Sequence, residues 1–276
     1  MMNTIISAQE LFEIINQPNV IVLDASQPGD KVGLTPKNPG LQILNARTFD
    51  LKNDFSDQNN PLPNTLQNAK DFENACRNLG INNNSIVVIY DNLGIFTSPR
   101  AWWMFKSMGF DNVHVLDGGL DSWLSNGYSI EKISKKEYPK GDFTAKFSSK
   151  NVVDAAKVNT NISTKEYQLI DARGAQRFDG TVEEPRAGIR SGHIPNALNL
   201  PFKSLLKDGK FKSEEERREL FDALNLDDKP LIFSCGSGVT ACVVYLASEG
   251  ILNQEKAVYD GSWSEWGQSD FPIIKS

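Results

Sequence analysis

The feature that most constrains the fold of this chain is an internal repeat, because each copy of a repeat has to build its own structural unit. Four short patterns in the first half recur in the same order in the second half, offset by roughly 145 positions. The matched pairs are VIVLDA (20–25) with QLIDA (168–172), QILNARTFDL (42–51) with HIPNALNLPF (193–202), SIVVIYD (85–91) with LIFSC (231–235), and VHVLDGGLDSW (113–123) with AVYDGSWSEW (257–266). The repeat predicts two tandem domains within the 276 residues.

Each copy alternates short apolar strands with helical patterns such as 69–79 and 214–224. This alternation is typical of a parallel sheet that is covered by helices on both faces. We therefore predict an α/β fold with one such domain over residues 1–131 and a second over 151–276. The intervening stretch, 132–150, is mostly polar and contains a proline and a glycine, so we predict a linker there.

Composition and charge exclude several classes of protein. Apolar residues make up 39% of the chain, which is enough for folded cores. The net charge of −6 is spread along the chain and leaves no basic stripe for a nucleic acid. The chain has no apolar run of about 18 residues, as a membrane helix needs, and no signal-peptide pattern at its start. We expect a cytoplasmic protein without a nucleic-acid or membrane partner.

The three cysteines are odd in number and lack CxxC spacing, so neither a disulfide framework nor a metal site is indicated. Cys76 lies in an amphipathic helical pattern and Cys242 in an apolar run, and for both we expect core filling. Cys235 differs, because it ends a buried-strand pattern and precedes Gly-Ser-Gly-Val-Thr and a helix. Glycines allow successive N–H groups to converge on an anion, and a helix N-terminus favours a thiolate. We predict that Cys235 is a nucleophile.

These segments resemble the rhodanese superfamily, and within it the 3-mercaptopyruvate sulfurtransferases, over nearly the whole chain. The resemblance is carried by CGSGVTAC (235–242), SGHIPNALNLP (191–201), YDGSWSEW (259–266), SPRAWWMF (98–105) and LDGGLDSW (116–123). It implies two rhodanese-like domains, of which the second is catalytic and the first is not. The sequence agrees, since Asp91 stands at the repeat position of Cys235 and an aspartate cannot carry sulfur.

The resemblance also implies a reaction course without metal or organic cofactor. The Cys235 thiolate attacks the sulfur of 3-mercaptopyruvate, pyruvate leaves, and a thiol such as a thioredoxin, or cyanide, removes sulfur from the persulfide. The loop amides stabilise the transferring atom. The implied site residues are Cys235 and Ser237 as catalytic groups, and Arg177, Arg186, Gly236, Gly238, Val239 and Thr240 as groups that bind the donor.

The two arginines suit a donor that carries a carboxylate. They stand in a stretch with glycine and proline that we expect to be a loop rather than a helix, and Arg173 and Arg190 are weaker candidates. Thiosulfate is the alternative donor. Relatives that prefer it carry basic residues directly after the cysteine, whereas Gly236 and Ser237 are neutral.

One feature of the family is absent from the sequence. Related mercaptopyruvate enzymes use the loop serine, here Ser237, with a histidine and an aspartate of the first domain as a proton relay. We matched that histidine to the HIPGA-like segment, where Gln42 stands, and an amide cannot act as a general base. The two histidines of the chain, His114 and His193, are expected to be structural.

Two other classes of function remain open at this point. Some protein phosphatases share this fold and use a C-x5-R loop, but Ala241 occupies the arginine position, so the phosphate would lack its bidentate partner. A non-catalytic persulfide carrier would keep Cys235 but would have no use for Arg177 and Arg186.

Overall fold

The computed structural model describes residues 2–134 and 136–276, so Met1 of the predicted first domain and Lys135 of the predicted linker lie outside the described residues. The first eleven elements are β1 (Ile5–Ile6), α1 (Ala8–Ile14), β2 (Val20–Asp24), β3 (Leu41–Ile43), β4 (Arg47–Thr48), α2 (Ala69–Asn78), β5 (Ile86–Tyr90), α3 (Ser98–Ser107), β6 (Val113–Leu116), α4 (Gly119–Ser125) and β7 (Ile130–Lys132). They are followed by β8 (Val152–Val153), α5 (Ala155–Thr164), β9 (Gln168–Asp171), α6 (Ala175–Asp179), β10 (Ala197–Asn199), β11 (Leu206–Lys207), β12 (Lys210–Phe211), α7 (Glu214–Asp222), β13 (Leu231–Ser234), α8 (Ala241–Ser248), β14 (Lys256–Tyr259) and α9 (Ser262–Trp266).

The chain divides into two compact units that do not follow the sequence strictly. Unit 1 comprises the residues up to Gln58, Leu66–Ser148 and Asp208–Phe211. Unit 2 comprises Asn59–Thr65, Ser149–Lys207 and Lys212–Ser276. A short segment from the first half of the sequence therefore packs with the unit that contains Cys235.

Unit 1 is built on a five-stranded sheet in the order β1-β6-β5-β2-β4, in which all neighbouring strands are parallel. The central strand β5 is fully buried over four of its five residues, as its continuous apolar sequence predicts for a strand covered on both faces. A cluster of phenylalanine rings fills one side of this unit: Phe49, Phe55, Phe72, Phe105, Phe110 and Phe143.

Unit 2 repeats this architecture. Its sheet has the order β10-β9-β13-β14-β8 and is also parallel throughout. The central strands, β5 and β13, are the two matched in the repeat, and so are their neighbours β2 with β9 and β6 with β14. The predicted α/β fold of two tandem domains, each with a parallel sheet and flanking helices, is confirmed.

The stretch predicted as a linker contributes to unit 1. Phe143 is fully buried there, its N–H donates to Ile81 O at 3.1 Å, and Gly141 N–H donates to Arg77 O at 2.9 Å. The division into domains at 1–131 and 151–276, with a linker between them, stays a prediction. No helix in the described part of the chain is both long and apolar enough to cross a membrane.

Candidate active site

Cys235 directly follows the central strand β13 and is 1% exposed. Its N–H donates to Ser262 Oγ at 3.1 Å, and its carbonyl accepts from Trp263 N–H at 2.9 Å. The next carbonyl, that of Gly236, accepts from both the N–H (2.9 Å) and the hydroxyl (2.6 Å) of Ser264. The first residues of α9 therefore fix the two peptide groups that follow the cysteine.

The orientation of these peptide groups decides where the loop amides point. A trans peptide group carries its N–H opposite its C=O, so the N–H groups of Gly236 and Ser237 face away from α9. Gly238 then adopts a φ of 75°, which side chains disfavour, and the chain enters α8 after Thr240. No protein acceptor within the described residues takes the N–H of Gly236, Ser237, Val239 or Thr240. These four groups are available to stabilise negative charge.

The matching loop of unit 1 shows how such amides hold an anion. Asp91 follows β5 and is 1% exposed. Its Oδ2 accepts from the N–H groups of Phe96 (3.0 Å), Thr97 (2.9 Å) and Ser98 (2.9 Å) and from the Ser98 hydroxyl (2.7 Å), while Oδ1 accepts from Leu93 N–H at 2.9 Å. In unit 1 the aspartate side chain is itself the anion in the loop.

Arg177 lies in helix α6, so the expectation of a loop at this position was wrong. Gly180, one of the residues that suggested a loop, is the C-cap of a short helix with a left-handed φ of 75°, and Gly174 is the N-cap of that helix. The expectation holds for Arg186, which lies in the irregular segment 181–192.

The Arg177 guanidinium reaches the Cys235 loop. Its Nη2 lies 3.2 Å from the point that a Cβ would occupy on Gly236, so the absence of a side chain at Gly236 allows this approach. Glu184 holds the guanidinium from the other side, with Nε and Nη2 donating to Oε1 (3.1 Å) and Oε2 (2.5 Å). The Arg177 side chain remains 25% exposed.

Arg186 also reaches the loop, through one intermediary. Its Nη1 donates to Ser264 Oγ at 2.5 Å, and that hydroxyl donates to the Gly236 carbonyl at 2.6 Å. The structure thus brings both predicted arginines to Gly236, the residue after the predicted nucleophile. A cationic edge of this kind can bind the carboxylate of a small acid beside Cys235.

The two weaker arginine candidates have structural roles. The Arg173 side chain is 1% exposed, pairs with Asp171 and Glu184, and lies 4.1 Å from the Trp263 ring centroid. Arg190 donates to backbone carbonyls of the C-terminal segment, including Gly267 at 3.3 Å and Phe271 at 3.0 Å.

Sequence reasoning missed a residue that contacts Ser237. Asn64, in the segment that packs with unit 2, donates from Nδ2 to Ser237 Oγ at 3.1 Å and to its carbonyl at 3.4 Å. Gln42, which we had matched to the relay histidine, is fully buried in unit 1 and donates to Ala46 O (3.1 Å) and Glu131 Oε1 (2.8 Å). The sequence signal was slight: Asn64 is a polar residue in a proline-rich loop.

The two histidines and the other two cysteines lie in structural surroundings. His114 Nδ1 lies 2.7 Å from Asn3 O, and His193 Nδ1 lies 2.9 Å from Phe178 O, with its ring stacked on that phenylalanine. In the described residues neither ring hydrogen-bonds to the Cys235 loop. Burial raises the pKa of the Cys76 thiol well above its usual range, and Cys242 Sγ donates to Gly238 O at 3.3 Å. Both thiols fill core space.

Comparison with protein families matches two segments, residues 7–126 and 154–269, to the rhodanese-like domain. The 3-mercaptopyruvate sulfurtransferase of Escherichia coli (strain K12) is 38% identical over 277 residues, which cover 97% of this chain and 96% of that protein. The thiosulfate sulfurtransferase of Rattus norvegicus is 38% identical over 256 residues, which cover 90% of this chain and 85% of the relative.

Among solved structures, SseA of Escherichia coli, a 3-mercaptopyruvate sulfotransferase with the rhodanese fold, superimposes with a TM-score of 0.82 at 35% identity, covering 95% of this chain and 99% of that chain. Two rhodanese-like domains and a cysteine loop at the end of the second central strand define a class of protein, the rhodanese family, and the chain belongs to it. It is a sulfurtransferase enzyme.

Proposed function

We propose that this enzyme transfers sulfur from 3-mercaptopyruvate to a thiol through a Cys235 persulfide and releases pyruvate. The observation that carries the proposal is the convergence of Arg177 and Arg186 on Gly236. A donor with a carboxylate at one end and sulfur at the other can bind this cationic edge while its sulfur faces Cys235. The resemblance of the sequence to 3-mercaptopyruvate sulfurtransferases supports the same donor.

The chemistry balances without a cofactor. The Cys235 thiolate attacks the thiol sulfur of the donor, the new S–S bond forms, and the C–S bond breaks with its electron pair passing to the methylene carbon. The resulting enolate takes one proton and leaves as pyruvate. The available N–H groups of Gly236, Ser237, Val239 and Thr240, with that of Gly238 as a further candidate, stabilise the negative charge around the transferring sulfur.

The second half-reaction regenerates the enzyme. An acceptor thiolate attacks the outer sulfur of the persulfide, and Cys235 leaves as a thiolate. We propose a protein thiol of the thioredoxin class as acceptor, with cyanide as a substitute in an assay. Three free cysteines are compatible with the reducing cytoplasm that we propose as the compartment.

Thiosulfate is a second candidate donor, because a thiosulfate sulfurtransferase is 38% identical over 90% of this chain. Thiosulfate is a compact dianion and favours cationic groups around the sulfur. Gly236 and Ser237, which follow the cysteine, carry no charge, and this observation favours mercaptopyruvate.

We also propose that unit 1 is non-catalytic. Asp91 stands where unit 2 has Cys235, and its carboxylate takes the N–H groups of the loop. A carboxylate there leaves neither a sulfur nucleophile nor open donors for an incoming anion.

The test is steady-state pyruvate release from 3-mercaptopyruvate with a thiol acceptor, beside thiocyanate formation from thiosulfate and cyanide. Wild type and Cys235→Ser are compared, with Cys242→Ser as the matched control for loss of a buried thiol. The proposal expects pyruvate release that is lost in Cys235→Ser and kept in Cys242→Ser. Turnover on thiosulfate alone would make the enzyme a thiosulfate sulfurtransferase, and no turnover on either donor would favour a persulfide carrier.

A further inference from the structure

We propose that Glu184 is a positioning residue that determines donor specificity: it holds one edge of Arg177 so that the other edge faces the Cys235 loop and binds the donor carboxylate. This inference rests on the proposed function, because it assigns the donor to that loop. Glu184 itself does not touch the donor and acts through Arg177.

The contacts of Arg177 divide its guanidinium into two edges. Glu184 accepts from Nε (3.1 Å) and from Nη2 (2.5 Å), which together form the side-on edge. The end-on edge consists of Nη1 and the second N–H of Nη2. Within the described residues no protein acceptor takes Nη1. Since Nη2 also lies closest to Gly236, this end-on edge is presented at the loop.

Glu184 is anchored independently of Arg177. Its side chain is 3% exposed, and its Oε1 also accepts from Arg173 Nη1 at 3.0 Å. Arg173 is held in turn by Asp171, whose Oδ2 accepts from Nε (3.0 Å) and Nη2 (2.7 Å), and by the Gly192 carbonyl at 2.8 Å. The Arg173 side chain is 1% exposed and the Arg177 side chain 25% exposed. The buried Arg173 and Glu184 therefore hold the more exposed Arg177 in place.

The anchor begins beside the catalytic strand. Asp171 ends β9 and is paired in the sheet with Ser234, the residue before Cys235. The series of ion pairs therefore runs from the sheet through Arg173 and Glu184 to Arg177 and returns to the loop at Gly236. Buried ion pairs therefore fix the distance between the nucleophile and the cationic edge.

The charges of this group predict opposite effects on the two donors. Asp171, Arg173, Glu184 and Arg177 sum to zero, so replacing Glu184 with glutamine leaves one net positive charge beside the loop. In this variant the Arg177 guanidinium is no longer oriented, so the planar carboxylate of 3-mercaptopyruvate loses its matching pair of N–H donors. A tetrahedral dianion such as thiosulfate needs the fork less and gains from the added positive charge.

The experiment compares Glu184→Gln with wild type on 3-mercaptopyruvate and on thiosulfate, with Glu183→Gln as the control at an exposed neighbour. We expect KM for 3-mercaptopyruvate to rise about tenfold with kcat nearly unchanged, the loss of one charge-assisted contact. We expect kcat/KM for thiosulfate to be unchanged or higher. The ratio of the two kcat/KM values therefore falls about tenfold in Glu184→Gln and is unaltered in Glu183→Gln.

A double-mutant cycle separates positioning from a general structural effect. If Glu184 acts through Arg177, adding Glu184→Gln to Arg177→Met causes no further rise in KM for 3-mercaptopyruvate beyond that of the single Arg177→Met variant. Should Glu184→Gln fail to fold, Glu184→Asp keeps the buried charge beside Arg173 but shortens the side chain that orients Arg177, and a fall in the ratio is again expected.

An unchanged donor ratio in the folded variant overturns the role of Glu184 while leaving the proposed function intact. The role of Glu184 is also overturned if Glu184→Gln raises KM for 3-mercaptopyruvate by the same factor in the Arg177→Met background as in wild type. A wild-type enzyme that does not release pyruvate from 3-mercaptopyruvate overturns the proposed function and this inference together.

Discussion

Asn64 Nδ2 donates a hydrogen bond to Ser237 Oγ at 3.1 Å, across 173 positions of sequence. Asn64 has a left-handed φ of 61°, a conformation that asparagine adopts more readily than most residues. An amide neither gains nor loses a proton in the neutral range. The partner of Ser237 therefore orients the hydroxyl and cannot relay its proton, in contrast to the histidine that the family resemblance implies.

The first prediction concerns the pH dependence of this pair. Asn64→His places an imidazole, with an ordinary pKa of about 6.5, beside the Ser237 hydroxyl. The neutral ring accepts a proton from Ser237 and the protonated ring does not, so activity of the variant falls as pH decreases through that pKa. We expect the ratio of variant to wild-type kcat/KM on 3-mercaptopyruvate to decline between pH 8 and pH 5.5.

The control is Asn60→His, since the Asn60 side chain accepts from Leu62 N–H at 2.9 Å. That variant should track the wild-type pH profile. A flat ratio for Asn64→His across the same range would show that Ser237 takes no part in proton transfer even when a base is supplied.

The second prediction concerns the aspartate that fills the unit 1 loop. Asp91→Ala leaves three buried N–H groups and the Ser98 hydroxyl without their shared acceptor. Each buried donor without an acceptor costs about 1–3 kcal/mol, so we expect the free energy of unfolding to fall by at least about 3 kcal/mol. Urea denaturation measures the change, with Asp30→Ala as the exposed control. A variant as stable as the control would mean that the loop relaxes to find other acceptors.

The repeat, the fold and the position of Cys235 could be predicted because they depend on local patterns. The apolar run predicts a strand, the cysteine and two glycines predict a loop, and the helical pattern that follows predicts a helix N-terminus at the end of that loop. The contacts of Asn64 and Glu184 could not be predicted in the same way, because they join residues whose proximity arises only from tertiary packing. For the same reason Gln42 was matched to the relay by its motif, although Asn64 is the residue that contacts Ser237.

Arg177 illustrates a different limit. Gly180 and Pro185 favour a loop in the sequence, yet Gly180 is the C-cap of α6, the helix that contains Arg177. A helix of five residues gives too short a periodic pattern to be distinguished from irregular structure by sequence.

The third prediction concerns Ser262, which anchors the start of the Cys235 loop. Ser262 has a left-handed φ of 50°, its hydroxyl accepts from Cys235 N–H at 3.1 Å, and it donates to Tyr259 O at 2.7 Å. Ser262→Ala loses both bonds and keeps the backbone strain, so we expect the free energy of unfolding to fall by about 2–3 kcal/mol. Ser262→Gly loses the same bonds but relieves the strain, which costs about 1 kcal/mol or more for a residue with a side chain.

Thermal and urea denaturation of the two variants test this ordering. The glycine variant should lie between the alanine variant and wild type. A glycine variant less stable than the alanine variant would show that the entropy of the unfolded chain outweighs the strain at this position.

The last prediction concerns Asp24, which ends β2 at the position where unit 2 has Asp171. Asp171 is paired with the buried Arg173, whereas the matching partner position in unit 1 is Ser26, whose N–H donates to Asp24 Oδ1 at 2.9 Å. Burial raises the pKa of Asp24 above its ordinary value, and the nearby charge of Asp91 adds to the increase.

The sign of the effect on stability follows from this direction. Between the ordinary pKa and the raised one, the folded state keeps a proton that the unfolded state has released, so the free energy of unfolding falls as pH rises through that interval. Above the raised pKa, the folded state carries a buried charge at a constant cost. Asp24→Asn keeps an oxygen that accepts from Ser26 and removes that charge.

We therefore expect Asp24→Asn to be more stable than wild type at pH 8, with an advantage that shrinks as pH falls toward 4. Urea denaturation at several pH values measures the difference, and Asp30→Asn, at an exposed site, serves as the control. A constant difference across pH would place the ionisation of Asp24 outside the range, and a variant less stable at pH 8 would mean that the Asp24 carboxylate accepts bonds that the amide cannot replace.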